Sequence, residues 1–371
     1  MRALILTLVV AGVCALLPLT GCQKKEPVRI GFVGGLTGRV ADLGVAGRNG
    51  AMLAVEEANA AGGIGGRQVE LVVRDDQQNP EALKRSIADF VSNSFEVVIG
   101  PMTSSMAVVA VPLVNGSKTL LISPTVTTTE LSGMDDNFLR VISTTKEYSE
   151  KNAVYQFDKV GHRRVAVIYD LDNRSYSEDW FKGFRTAFEG RGGSIAATMT
   201  YRSAGEPVFT DLAAEMLKSR PDLVLIIANA VDAAMICQQL RKLNKGVGVA
   251  VTEWGSTERF IELAGPAADG VVAAQFLNRS DSSPRYARFH ESYLKRFGQE
   301  PGFAGVAGYD ATIVALEAFA KRSHGQSLKE YIIATSTFQG VQQPIVLDRF
   351  GDADRKSYLT LIRNGRFVTL D

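Results

Sequence analysis

The 371-residue chain is poor in the residue types that do chemistry: three cysteines, three histidines and two tryptophans. Cys14 lies in an apolar N-terminal stretch, Cys22 just after it, and only Cys237 occurs in the body of the chain. One cysteine cannot close an intrachain disulfide, so that body must be held together by burial alone. His162, His290 and His324 are far apart, and none has a second His or Cys at ligand spacing, which speaks against a metal site. Charge is balanced, with 41 basic and 40 acidic residues and no basic block, so the chain lacks the footprint of a nucleic-acid binder. No Gly-x-Ser-x-Gly elbow occurs, and Gly31–Gly38 follows a strand pattern without Gly-x-Gly-x-x-Gly spacing. Cys237 falls within a helical pattern and reads as an inert buried thiol. Neither catalysis nor a cofactor is expected.

What is present begins with an export signal. Met1-Arg2 is a short basic start, Ala3–Thr20 carries no charge, and Gly21-Cys22 precedes the polar run Gln23–Glu26. Leu19-Thr20-Gly21-Cys22 resembles the bacterial lipobox, which implies cleavage before Cys22 and a lipid on its sulfur. The alternative is an uncleaved anchor, since 18 residues can just span a bilayer, but Pro18 interrupts the segment. Either way the remainder sits outside the cytoplasm. At about 350 residues it is long enough to bury some three quarters of its unfolded surface.

From Val28 onward, apolar β-rich runs alternate with helical patterns. Strands are expected at 28–33, 69–73, 97–100, 120–123, 165–169, 223–228, 247–252 and 271–275. They are continuous apolar runs, as in parallel strands covered on both faces. Arg48–Ala60 places Ala51, Ala54, Val55 and Ala58 on one helical face, and Gly62–Gly66 stops it. Repeated βα units imply a doubly wound α/β fold, and there are too many strands for one sheet. Two lobes are therefore expected, joined by short hinge segments near Val141–Thr145, Gln275–Asn278 and Pro344–Asp348. The tail 358–370 reads as a hairpin turning at Asn364-Gly365. The resulting division is a leader (1–21), a tether (22–27), lobe 1 (28–143 with 277–344) and lobe 2 (144–276 with 345–371).

Open α/β sheets bind ligands beyond the carboxyl ends of their strands, and hydroxyl residues cluster there. Val97–Ser105 runs from a strand into a helix whose N-terminus would carry Ser104 and Ser105. Leu121–Thr129 is a second such edge, bearing Thr125 and Thr127. These hydroxyls can also serve only as helix caps. Asp75-Asp76, at another strand end, reads as solvated.

At these residues the chain resembles the type I periplasmic binding proteins of branched-chain amino-acid ABC transporters, the leucine-isoleucine-valine-binding family. The resemblance runs through Ile30–Gly38, Asn59–Ile64, Arg74–Asp76, Val98–Gly100, Ile122–Pro124, Val165–Asp170 and Gly308–Ala311. It implies two Rossmann-like lobes with three crossovers and a small ligand held between them. It also implies a carboxylate held by Ser104 and by groups at Thr125 and Thr127, and an ammonium held by Glu253 in Val251–Gly255. Tyr176 matches an aromatic of the second lobe. The family's first-lobe aromatic becomes Leu43, its tyrosine-rich stretch becomes Ala228–Asp232 with Asn229, and its first-lobe cysteines become Gln78 and Thr103. The apolar pocket is thus remodelled, and leucine does not follow as the ligand. For Glu253 the bland alternative is a surface acid at a strand end. The implied partners are an ABC permease and ATPase complex, and a membrane reached through lipid on Cys22, with the protein a monomer. The rival function on the same fold is a sensor of an amide, urea or aromatic carboxylate that reports to a regulatory partner.

Overall fold

A computed structural model describes residues 25–370, so the leader and Cys22 lie outside the described residues. The first sheet holds five parallel strands: β1 (Val28–Gly34), β2 (Val69–Asp75), β3 (Val97–Ile99), β4 (Leu120–Ser123) and β5 (Phe138–Arg140). Their order is β2-β1-β3-β4-β5. The next five are β6 (Arg164–Asp170), β7 (Ser194–Tyr201), β8 (Leu223–Ile227), β9 (Gly248–Val251) and β10 (Val272–Gln275). They repeat the pattern as β7-β6-β8-β9-β10. Each set is a doubly wound unit whose ligand crevice lies outside the carboxyl ends of its strands. The central strands β3, β4 and β8 are buried at every residue, which explains their unbroken apolar runs.

Three strands form a small antiparallel sheet: β11 (Thr337–Gln339), β12 (Pro344–Leu347) and β13 (Ala353–Asp354). The expected tail hairpin is β14 (Tyr358–Arg363) with β15 (Arg366–Thr369), and β14 pairs antiparallel with β10. Pro344–Asp348, where a crossing is expected, is thus largely a strand of the small sheet. The chain enters the second sheet only at Tyr358, so the third passage is 355–357. The expected helix at Arg48 begins seven residues earlier, as Ala41–Ala60. Gly44, Gly47 and Gly50 make that first half look like loop, yet each meets a neighbouring group at close range. A Cβ on Gly50 would lie 2.0 Å from the Gly305 carbonyl oxygen, and one on Gly308 would lie 2.2 Å from that of Gly47. The helix Gly302–Lys321 therefore packs backbone to backbone against Ala41–Ala60. It is long and apolar enough to cross a membrane but is mostly buried in this core.

The three passages between lobes converge on Arg355, which is fully buried. Its Nη1 donates to the Val141 carbonyl on the first passage and to Asp310 Oδ2, at 3.0 and 2.8 Å. Its backbone N–H donates to Ser143 Oγ, whose hydroxyl donates back to the Arg355 carbonyl. The guanidinium lies 4.6 Å from the ring of Phe276 on the second passage. Asp310, also fully buried, accepts the Val341 N–H as well.

Candidate functional site

A cavity of about 20 Å³ lies between the lobes, lined from strand ends of both sheets. From the first come Leu43, Met102, Thr103, Ser104, Thr125 and Ile142, with Phe303 from the helix Gly302–Lys321. From the second come Asn173, Tyr176, Glu253, Trp254 and Phe276, with Tyr148 at the start of the first helix beyond the first passage.

Ser104 opens the helix Ser104–Val114 and is buried; its Oγ accepts the Thr128 N–H at 3.4 Å. The positive dipole end of that helix makes this corner favourable for an anion. Thr125 sits on the next loop, but its hydroxyl donates to the Met102 carbonyl at 2.5 Å, which leaves it an acceptor. Where the family's first-lobe cysteines would lie, the Thr103 hydroxyl donates to Gln78 Oε1 at 3.1 Å, a hydrogen bond in place of a covalent link.

On the opposite wall, Glu253 is 3% exposed, so it is no surface acid. Its Oε2 accepts the Trp180 indole N–H at 3.0 Å, whereas Oε1 is buried without a partner among the described residues. Burial, unrelieved by any cation, pushes this carboxyl from 4.5 up to about 7, although the Trp180 and Tyr176 hydrogen bonds work against it. Trp254 follows; its ring meets Tyr176 edge-on at 5.5 Å, and its Nε1 is likewise buried and unpartnered. Burial also holds the Tyr148 and Tyr176 hydroxyls well above 10, so both stay neutral near neutrality.

The structure therefore brings Leu43, Ser104, Thr125, Tyr176 and Glu253 to one cavity and sets Ser105, Thr127 and Asn229 apart from it. Ser105 is one residue further round the helix and faces the other lobe: its N–H donates to Asn173 Oδ1, and its Oγ accepts the Ser175 N–H. Thr127 is buried beside the first passage, where its carbonyl accepts the Thr145 N–H. Asn229 caps the helix Ala230–Leu243 through the Asp232 N–H at 3.0 Å. Asp76 is also corrected, being 1% exposed, with burial pushing its carboxyl up to about 6.

Sequence reasoning did not single out Trp254, Tyr148, Phe276 or Phe303 as lining, nor the clasp at the cleft rim. There Arg39 Nη1 donates to Asp232 Oδ1 at 2.7 Å across the lobes, and Tyr201 donates to Asp232 Oδ2 at 3.0 Å. Thr257 donates to Asp42 Oδ2 at 2.6 Å, and Thr129 donates twice to Asp179. Trp254 could have been found as a large aromatic directly beside the expected acid. Arg39 and Asp232, 193 residues apart, leave no local signal.

Two doubly wound lobes closing on a buried cavity, with polar groups at opposite walls, define a bilobal solute-binding protein. A family model described as periplasmic binding protein matches residues 27–366, and the chain belongs to that family. Within it the chain is of the type I group that contains the leucine, isoleucine and valine receptors. It is 25% identical to the Leu/Ile/Val-binding protein of Escherichia coli K12, over 91% of both chains. Its structure matches a leucine-binding protein of Thermotoga maritima with a TM-score of 0.85 at 23% identity, covering 93% of this chain and 98% of that one. A solute-binding protein of Rhodopseudomonas palustris in complex with benzoate matches at 0.84 and 20% identity, covering 93% and 96%. The family is extracytoplasmic, and its members bind substrates without transforming them.

Proposed function

We propose that the protein is the receptor of an ABC importer and captures an amino acid as a zwitterion between its lobes. The observation that carries this reading is Glu253: a buried carboxyl with one free oxygen, lining the same cavity as the N-terminus of helix Ser104–Val114. A buried carboxylate is costly until a cation meets it, and an α-ammonium supplies that cation. The Ser104 hydroxyl, the helix N–H groups and the Thr125 backbone take the carboxylate, and Tyr176 and Leu43 close over the ligand. Closure follows from contacts to both walls, because a ligand shifts the lobes only by its differential affinity for the closed state. The closed protein then docks on a permease and ATPase complex. The chain acts as a monomer held at the membrane through lipid on Cys22, supported by the Leu-Thr-Gly-Cys run.

A thermal-shift screen of L-amino acids, amides and aromatic carboxylates tests this. A ligand at about 100 times its Kd adds about 2.7 kcal/mol. Ser104→Ala with Glu253→Gln abolishes the shift while circular dichroism stays native; an unchanged shift would overturn the site. A second reading draws on the aromatic walls Tyr148, Trp254, Phe276 and Phe303 and on the raised Glu253 carboxyl. In it an aromatic carboxylate, like the benzoate of the Rhodopseudomonas protein, meets a protonated Glu253, and the protein reports to a regulatory partner. Stabilisation by benzoates but by no amino acid would favour it.

A further inference from the structure

Resting on the amino-acid reading above, we infer that Trp254 selects an amino acid whose side chain carries an oxygen acceptor, such as threonine, serine or asparagine, over a branched hydrocarbon. Two buried polar atoms on the second-lobe wall lack partners among the described residues, Glu253 Oε1 and Trp254 Nε1. They come from adjacent residues and from side chains that line the same cavity. The first suits the ligand's ammonium. The second is an obligate donor, since an indole N–H can only give a hydrogen bond. It asks for an acceptor close to the ammonium-bearing carbon.

The ligand's carboxylate does not meet that demand, because the opposite wall, with Ser104 and its helix N-terminus, holds it. What remains near Trp254 is the side chain on the same carbon. The indole is held in place, with its ring against Tyr176 and its backbone N–H on the Tyr176 hydroxyl at 3.5 Å. The following turn is tight, since a Cβ on Gly255 would lie 2.9 Å from the Ala228 carbonyl oxygen. The Tyr176 ring and the tight turn thus fix where the Trp254 backbone and ring sit beside the cavity. A hydrocarbon side chain seals this donor away from water unpaired, whereas a hydroxyl or carbonyl oxygen satisfies it. Sites built to hydrogen-bond a substrate group discriminate far more strongly against analogues lacking it than apolar pockets do against an extra methyl. Of the rest of the lining, Leu43, Met102, Ile142, Phe276 and Phe303 are apolar and do not distinguish them in this way, while Thr103 already donates to Gln78.

Isothermal titration of the full-length protein with two near-isosteric pairs tests the inference: L-threonine against L-valine, and L-asparagine against L-leucine. Threonine and asparagine are expected to bind at least about tenfold more tightly than their hydrocarbon partners. In Trp254→Phe, which keeps a ring but loses the donor, both ratios should fall toward one, chiefly through weaker threonine and asparagine binding. Valine and leucine bound as well as their polar partners by the unsubstituted protein would overturn this inference and leave the amino-acid reading standing. The wild-type ratios decide the question even if the variant fails to fold. Binding of benzoate with no response to any amino acid would instead overturn the reading on which it rests.

Discussion

Acidification should weaken amino-acid binding, because the free protein holds Glu253 protonated below about pH 7. A zwitterion needs the ionised form, and its own charges do not change between pH 5 and 8. With a carboxyl at about 7, roughly 1% of the free protein is ionised at pH 5 and roughly 90% at pH 8. The apparent Kd should therefore rise close to 100-fold between these values, about 2.7 kcal/mol. The two lining tyrosines, Tyr148 and Tyr176, stay neutral throughout this range. Both tryptophans adjoin the carboxyl, Trp180 by hydrogen bond and Trp254 by sequence, so intrinsic fluorescence titration reads binding directly. Glu253→Gln should flatten the profile. Ligand-free stability carries the same signature with an explicit sign. The folded carboxyl keeps a proton that the unfolded chain has lost, so Glu253 destabilises the empty protein increasingly from about pH 4.5 to about 7. The effect levels off above that, with a ceiling of about 3 kcal/mol. An affinity that stays flat or strengthens at pH 5 would refute the ammonium assignment and fit an acid ligand against a protonated Glu253.

Breaking the rim clasp with Arg39→Ala should raise Kd about tenfold, mainly through faster release in stopped-flow, without changing ligand preference; Arg39 is 38% exposed, which tempers the cost, but Asp232 is fully buried and loses its cation, so the pair is worth about 1–2 kcal/mol. Arg355→Ala leaves Asp310 buried without its cation and should cost about 3–5 kcal/mol in urea denaturation; a loss under 1 kcal/mol would show that the passages are pinned otherwise. Gly308→Ala should lower stability by about 1–3 kcal/mol through overpacking of the two central helices, read as a falling Tm. Cys237 is buried, with burial pushing its thiol up to about 11, so it should resist Ellman's reagent until denaturant is added.

The fold was legible because its central strands are covered on both faces, and burial on two sides leaves a run of Val, Ile and Leu that no helix period explains. The missed elements either fail that condition or are too short to show it. β7 is an edge strand with only its last residue buried, and β5, although buried, is only three residues long and ends in an arginine. The small sheet β11–β13 alternates buried and exposed positions within two to four residues per strand, too few to show a period. In the site, residues named from a strand end fell within one turn of the cavity, yet a single helical step separates Ser104, which lines it, from Ser105, which faces the other lobe. Sequence spacing does not resolve a 100° rotation when the helix start is uncertain by one residue. The groups at Arg39, Asp232, Asp310 and Arg355 were invisible for a different reason: each pair is created by closure of the tertiary structure, between positions 45 to 193 residues apart.

Arg355 has a mechanical consequence. All three interlobe strings are tied to one buried guanidinium, which leaves the halves little freedom to slide and much to swing, as a book turns on its spine. Atoms near that pivot barely travel, while the far lip sweeps the widest arc. The salt link between Arg39 and Asp232, being at the lip, would part early as the book opens, while the aromatic wall by Phe276 would hardly notice.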